Sequence, residues 1–360
     1  MTLFADAYLH SLDKVLLPIW GNVAIRWYGL AYLAGFIAAW LLLRWMSRSG
    51  RVRIPFARTG DFLMFVVVGV LVGGRLGYVA FYDQSLLWPL TDIIAVWDGG
   101  MSFHGGAIGV ILAVCIFAHI NKLSKLHLLD FAAFACCIGL FCGRVANFVN
   151  GELWGKELPA HLQAESPWWS LKYPAELAHM AVDPSHKAEL ANALAIPRAM
   201  NINTTDWAIT VRDYGRSEQA NRLFDGWIQD IVIELRHGNQ PLADALQPLL
   251  PAYYPSQLIQ AFAEGPLLMM VLAIVWLQPR KPGVVGGTFL ITYGILRIAT
   301  EVYRQPDEGV AIILGLQRGQ LLSVLMILSG VIGLIIVVRR DVEPMGGFLR
   351  SSGQPEGARS

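Results

Sequence analysis

Seven mostly apolar runs alternate with polar connections along the chain, near 24–43, 61–82, 103–120, 127–149, 257–277, 284–304 and 319–338. A helix needs about 20 such residues to cross the hydrocarbon core of a bilayer. The pattern therefore predicts an all-α integral membrane protein with seven transmembrane helices. The connections alternate in charge. Arg44, Arg48, Arg51, Arg53 and Arg58 follow the first run, and Lys122 and Lys125 the third. Arg280 and Lys281 follow the fifth, and Arg339 and Arg340 the seventh. The connection after the second run carries Asp83, Asp92 and Asp98 and no Lys or Arg. Cytoplasmic loops collect Lys and Arg, so the N-terminus is expected outside and the C-terminus in the cytoplasm.

One connection breaks the rhythm. Residues 151–256 form a long polar segment between the fourth and fifth helices, on the outer side, with an amphipathic helix around Ser217–Arg236. Long segments cross regardless of charge, so its basic residues do not disturb the orientation. The expected organisation is a membrane domain over 1–344 that includes 151–256 as an outer cap or arm. A Gly/Ser/Pro-rich tail over 345–360 is expected to be disordered and cytoplasmic. No internal repeat is evident. The N-terminus lacks a basic leader and a small-residue cleavage site, so it does not read as a removable signal peptide.

Composition agrees with the pattern. Of 360 residues 55% are hydrophobic and only 15% charged, against roughly 25% charged in soluble domains. Mean hydropathy is +0.47. The net charge of +1 gives no reason to expect a nucleic-acid partner. Cys115, Cys136, Cys137 and Cys142 all lie in apolar runs without metal or CxxC spacing, and read as buried reduced thiols.

Ionisable residues inside spans are costly and mark function. Arg75, with Tyr78 and Tyr82, lies late in the second span, and His104 opens the third. Arg144 and Asn147 sit three apart near the end of the fourth, and Gln257 begins the fifth. Arg297, Glu301 and Arg304 share a face at the end of the sixth, and Tyr28 is near the start of the first. With alternating helix directions, all of these fall in the outer half of the membrane. Each has a structural alternative. Arg297–Glu301 can be a structural pair, Arg75 can satisfy helix-end carbonyls, and Arg304 can snorkel. Tyr28 with Trp27 can be an aromatic belt, and His104 a satisfied core histidine. Their gathering on one side favours a shared polar cavity. Gly69, Gly73 and Gly77 recur every fourth residue, and Gly105, Gly106 and Gly109 follow His104, a pattern for close helix packing.

Guanidinium groups grip phosphate oxygens in a fork, and at this depth the natural anion is a phospholipid headgroup. A histidine beside them suits a general base. Together they suggest a nucleophile attacking next to a lipid phosphate, with arginines stabilising the departing group. There is no GxSxG, HExxH, Walker loop or Asp-rich motif, so neither a metal nor an enzyme-borne serine nucleophile is expected. A transporter for an organic anion would place polar residues in the inner half too, where few occur. A phospholipid hydrolase would need a water activator that the sequence does not offer.

The run Gly143-Arg144-Val145-Ala146-Asn147-Phe148-Val149-Asn150-Gly151-Glu152-Leu153-Trp154-Gly155 resembles the signature of the prolipoprotein diacylglyceryl transferase family. Further similar stretches follow in the family's order: Arg26–Leu30, Gly73–Tyr78, Gly99–Gly109, Tyr254–Leu258, Tyr293–Arg297 and Glu301–Asp307. The resemblance runs from Arg26 to about Arg340. It implies seven spans in the bacterial inner membrane, with 151–256 a periplasmic insertion between helices 4 and 5. It implies transfer of diacylglyceryl from phosphatidylglycerol to the lipobox cysteine of a prolipoprotein, giving a thioether and glycerol phosphate without a cofactor. By position, Arg144 binds the lipid headgroup, His104 is a candidate base and Arg297 is essential. Tyr28, Arg75, Asn147, Asn150, Glu152, Gly155, Tyr293, Glu301 and Arg304 belong to the substrate-binding set. The arginine field is an alternative to His104 for ionising the thiol. The chain departs from the family pattern at Ala146 (usually Gly), Ala107 (often Leu), Ile259-Gln260 (usually Tyr-Glu) and in the length of 151–256.

Overall fold

The computed structural model describes residues 6–20, 23–81, 83, 100–305 and 318–349. Tyr82, Asp92, Asp98, Pro306, Asp307 and the tail over 350–360 lie outside the described residues. The long helices are α1 (Trp27–Arg48), α2 (Thr59–Phe81), α3 (Phe103–Ile120) and α4 (Lys125–Asn150). Short helices α5 (Ala160–Gln163), α6 (Glu176–Val182), α7 (Pro184–Asn192), α8 (Ala195–Ala199), α9 (Thr204–Asp213), α10 (Glu218–Arg236) and α11 (Gln240–Leu246) follow. Then come α12 (Ser256–Phe262), a π-helical turn (Ala263–Leu267), α13 (Leu268–Val275), α14 (Val284–Glu301) and α15 (Arg318–Arg339). The strands β1 (Tyr8–Leu9), β2 (Val15–Trp20), β3 (Val23–Arg26) and β4 (Leu171–Lys172) are minor additions to a helical chain.

Among the described residues, six helical segments are long and apolar enough to cross a membrane: Trp27–Arg48, Phe56–Ala80, Phe103–Ile120, Lys125–Asn150, Ser256–Val275 and Gly319–Arg339. The chain is therefore a helical membrane protein. The expected span at 284–304 forms α14, which is not among the six because Arg297 and Glu301 dilute its apolar content. Helix ends shift from the expected spans where long cationic side chains cover apolar surface. Arg44 and Arg48 stay helical in α1, and their guanidinium carbons lie 4.2 Å and 4.3 Å from the Phe56 ring centre.

The chain divides into two compact units, each with its own core. One comprises 29–144, 260–300 and 308–360. Its core gathers Leu43, Met46, Phe62, Phe117, Phe131 and Trp276. Within it α2 and α3 meet through glycines. A Cβ added at Gly69 would stand 2.6 Å from the Gly109 carbonyl oxygen, and one at Gly77 2.6 Å from Gly105 Cα. The four-residue spacing thus serves backbone contact. Gly109→Ala would set its methyl 2.9 Å from the Gly69 carbonyl carbon. It should lower stability by about 1–3 kcal/mol, read as a lower unfolding midpoint in detergent; an unchanged midpoint would show that the helices can part without loss.

The expected irregular tail does not begin at Met345. Met345 pairs with Arg280, and the Phe348 amide donates to the Trp276 carbonyl at 2.9 Å. The Phe348 ring lies 5.4 Å from Phe134. An apolar side chain directly after a glycine pair found a place in the core.

The other unit comprises 1–28, 145–259 and 301–307. Helices α6–α11 enclose Leu177, Leu190, Trp207, Phe224, Ile231 and Leu246. As the amphipathic pattern predicts, α10 buries Ala220, Phe224, Ile228 and Ile231 on one stripe, and Ser217 caps its start. The N-terminal segment is stitched to this body. β1 pairs in parallel with β4, the Gln247 amide donates to the Ala7 carbonyl at 2.8 Å, and Asp13 pairs with Arg236.

Candidate active site

In the first unit, α4 presents Arg144 and the π-turn presents Glu264. Arg144 Nε donates to Glu264 Oε2 at 2.9 Å and Nη2 donates to Oε1 at 3.2 Å, a two-bond fork. The Glu264 side chain is 0% exposed and that of Arg144 15%. The turn has a local cause. Pro266 has no N–H, and its ring would strike the carbonyl four residues back in a regular helix, so the helix widens. Gly265 permits the close approach of α4, since a Cβ there would lie 2.7 Å from Phe141 Cβ. Tyr293 on α14 is buried within electrostatic reach of Glu264, Arg144 and Arg297. Arg297 follows Tyr293 by one turn. Gln260, one turn before Glu264, is buried, and its Nε2 finds no hydrogen-bond partner among the described residues.

Glu264 was not singled out in the sequence. Its signal was available: it is the one charged residue in the apolar stretch Ser256–Val275, and a lone charge inside a span asks for a partner.

Arg75 and His104 belong to the same unit. Arg75 is buried, its Nη1 donates to the Gly100 carbonyl at 3.2 Å, and its guanidinium lies 5.9 Å from the Tyr78 ring centre. His104 stands exposed in the first turn of α3, edge-on to Phe103 at 5.7 Å, and Ser102 caps that turn by accepting from the Gly105 amide at 3.2 Å.

The other unit gathers the second half of the signature. The Tyr28 hydroxyl donates to Asn147 Oδ1. Asn150 Nδ2 donates to Glu152 Oε1 at 3.3 Å. Gly151, at φ +63°, ends α4 in the left-handed conformation that a glycine adopts without strain. Gly155 bridges to Arg304, and a Cβ on it would lie 2.9 Å from the Tyr254 carbonyl carbon, which leaves no room for a side chain. Glu301 and Arg304 are both buried and face each other at 3.7 Å. Gln257 Nε2 donates to the Glu152 carbonyl at 2.7 Å and contacts the Tyr173 hydroxyl. Burial pushes the Tyr173 phenol up, so it stays a neutral hydroxyl. Burial pushes His10 below its usual value, which keeps it neutral while it bonds the Phe148 carbonyl at 2.7 Å. Helix α4 carries Arg144 of one cluster and Asn147 of the other; α14 likewise carries Arg297 and Glu301.

Two expectations change. Buried polar groups are not confined to the Arg144 end of the helices. Asp130, near the opposite end of α4, is 2% exposed and accepts the Gly283 and Gly286 amides at 2.7 Å and 2.6 Å. Nearby, His127 Nε2 accepts the Arg53 amide at 3.1 Å. These are backbone ties, with Asp130 satisfying donors at the start of α14. The cysteines are free thiols as read, but only Cys137 is buried; Cys115 and Cys142 are half-buried and Cys136 is exposed on α4.

A helical membrane protein that holds Arg144 in a buried carboxylate fork inside a span carries the kind of ionisable residue that marks a functional site in a membrane protein. Comparison with known proteins narrows the class. A family model described as prolipoprotein diacylglyceryl transferase matches residues 14–336. A phosphatidylglycerol–prolipoprotein diacylglyceryl transferase of Bdellovibrio bacteriovorus is 35% identical over 350 residues, covering 95% of this chain and 97% of that protein. The same-named proteins of Rhodospirillum rubrum and Neisseria gonorrhoeae are 34% and 35% identical, covering 93% and 91% of this chain and 95% and 96% of their own lengths. The chain belongs to the prolipoprotein diacylglyceryl transferase family.

Proposed function

We propose that the chain transfers the diacylglyceryl group of phosphatidylglycerol to the lipobox cysteine of prolipoproteins, the first step of bacterial lipoprotein maturation. The observation that carries this is Arg144, a guanidinium held within a membrane span by a buried carboxylate, inside a chain-length match to transferases. In this reading the protein lies in the inner membrane, and α14, the sixth span in chain order, brings the total to seven. The N-terminus and the 151–256 insertion face the periplasm, and the C-terminal tail lies in the cytoplasm.

The reaction is a substitution at the glyceryl carbon that bears the phosphate. The cysteine sulfur forms a C–S bond, the C–O bond to phosphate breaks, and glycerol phosphate departs with the bonding electron pair. A thiol has a pKa of about 8.5 in water, so it must be helped to ionise. His104 takes its proton, and Arg144 with Arg297 stabilises the charge that grows on the leaving phosphate. Tyr28, Asn147, Asn150, Glu152, Gly155, Tyr293, Glu301, Arg304 and Arg75 shape the substrate site. The apolar faces of the spans accept the acyl chains. Asp130 makes no case for a transport path, because both of its carboxylate oxygens accept backbone amides.

Purified protein in phosphatidylglycerol vesicles should add one diacylglyceryl mass to a lipobox peptide cysteine and release one glycerol phosphate per peptide. No mass gain with active lipid present overturns the proposal. His104→Gln should lower the rate by about 10²-fold or more and flatten the rise of rate with pH. An unchanged profile assigns thiol ionisation to the arginine field instead.

A further inference from the structure

We propose that Glu264 is a positioning residue: held in the span by the π-turn, it fixes the plane of the Arg144 guanidinium so that Arg144 meets the lipid phosphate at one set angle. This rests on the reading of Arg144 as the phosphate grip.

Four observations converge. The fork engages Nε and Nη2, one edge of the guanidinium, and the Nη1 edge lies outside it. A planar five-donor group gives directed bonds only when its plane is held, and two parallel bonds to one carboxylate hold it. The carboxylate is completely buried, where a lone charge is strongly disfavoured, so the fork is the arrangement its surroundings impose. The π-turn at Ala263–Leu267 sets where Glu264 emerges, and such turns recur at functional sites. Gly265 against Phe141, three residues before Arg144, fixes the separation of the two helices at that level.

The charges also match the task. Arg144 and Arg297 with Glu264 leave a net single positive charge, suited to the monoanionic phosphodiester of the bound lipid. As the C–O bond breaks, the phosphate gains charge, and an arginine already oriented needs no rearrangement to answer it.

The test uses the full chain in vesicles of phosphatidylglycerol and phosphatidylethanolamine with a lipobox-cysteine peptide, measuring kcat and the KM for phosphatidylglycerol. Glu264→Ala should lower kcat by about 10²-fold, the scale of a small misplacement of a catalytic group. Glu264→Gln keeps the volume and should lower kcat by roughly 10-fold, the difference between a charge-assisted and a neutral hydrogen bond. Glu264→Asp should recover part of the loss. In an Arg144→Lys background, which has no fork to hold, adding Glu264→Ala should lower kcat less than about 3-fold further, as expected of residues that act as one unit. A folded Glu264→Gln protein with wild-type kcat overturns the proposal. So does an equal Glu264→Ala penalty in both backgrounds. Full activity of Arg144→Ala overturns the phosphate-grip reading instead, whatever Glu264 does.

Discussion

Replacing Arg144 by alanine is expected to lower kcat/KM by about 10²–10³-fold, the scale for removing one preorganised donor aimed at developing charge. The protein should still reach the membrane fraction, because insertion depends on the apolar spans around Arg144 and not on its fork. The alanine variant also leaves Glu264 as an unpaired buried carboxylate, a change worth about 3–5 kcal/mol of stability. Arg144→Lys separates the two effects. It keeps a cation for Glu264 but offers a point charge where the fork was. It should therefore fold near the wild-type midpoint and still lose most of the activity. Transfer assays together with thermal unfolding decide the matter, and a lysine variant with normal kcat/KM would show that charge alone suffices.

The second large effect concerns the insertion. Trp207 is completely buried, lies 5.7 Å from the Trp227 ring and donates from Nε1 to the Leu190 carbonyl at 3.0 Å. Trp207→Ala removes a large aromatic from a closed core, a loss of about 3–5 kcal/mol. It also removes one of the two donors to the Leu190 carbonyl, leaving the Ala193 amide. The helices over α6–α11 should become sensitive to protease while the membrane helices stay protected. Transfer measured on that variant tells whether the insertion takes part in the reaction. Activity close to wild type would make it an accessory body, and loss of activity with intact membrane helices would tie it to substrate handling.

Much of this was legible in the apolar rhythm of the chain. Runs of hydrocarbon-compatible length gave the long helices, and the fourfold glycine spacing gave the α2–α3 contact. Arg144, Asn147, Arg297 and Glu301 stood out because ionisable and amide groups are scarce in spans. Glu264 escaped notice because its partner lies 120 residues away, and no local spacing links them. The π-turn that delivers it depends on Pro266 within an otherwise regular helix, which sequence periodicity reads as continuous. Asp130 is similar: its amide partners are more than 150 residues further on. The Gly155–Arg304 bridge and the β1–β4 pair join distant segments through backbone atoms, which leave no imprint on side-chain pattern.

The docking of Met345–Leu349 has a practical side. Arg51 Nε donates to the Phe348 carbonyl at 3.2 Å, and the Leu349 amide donates to the Leu277 carbonyl at 2.7 Å. Met345–Leu349 is thus a latch across the ends of two helical connections. For anyone handling the protein, the point for a tag or fluorescent fusion is after Leu349. A truncation at Pro344, chosen from the helix boundary alone, would strip the aromatic plug from beneath Trp276 and unfasten that end of the bundle.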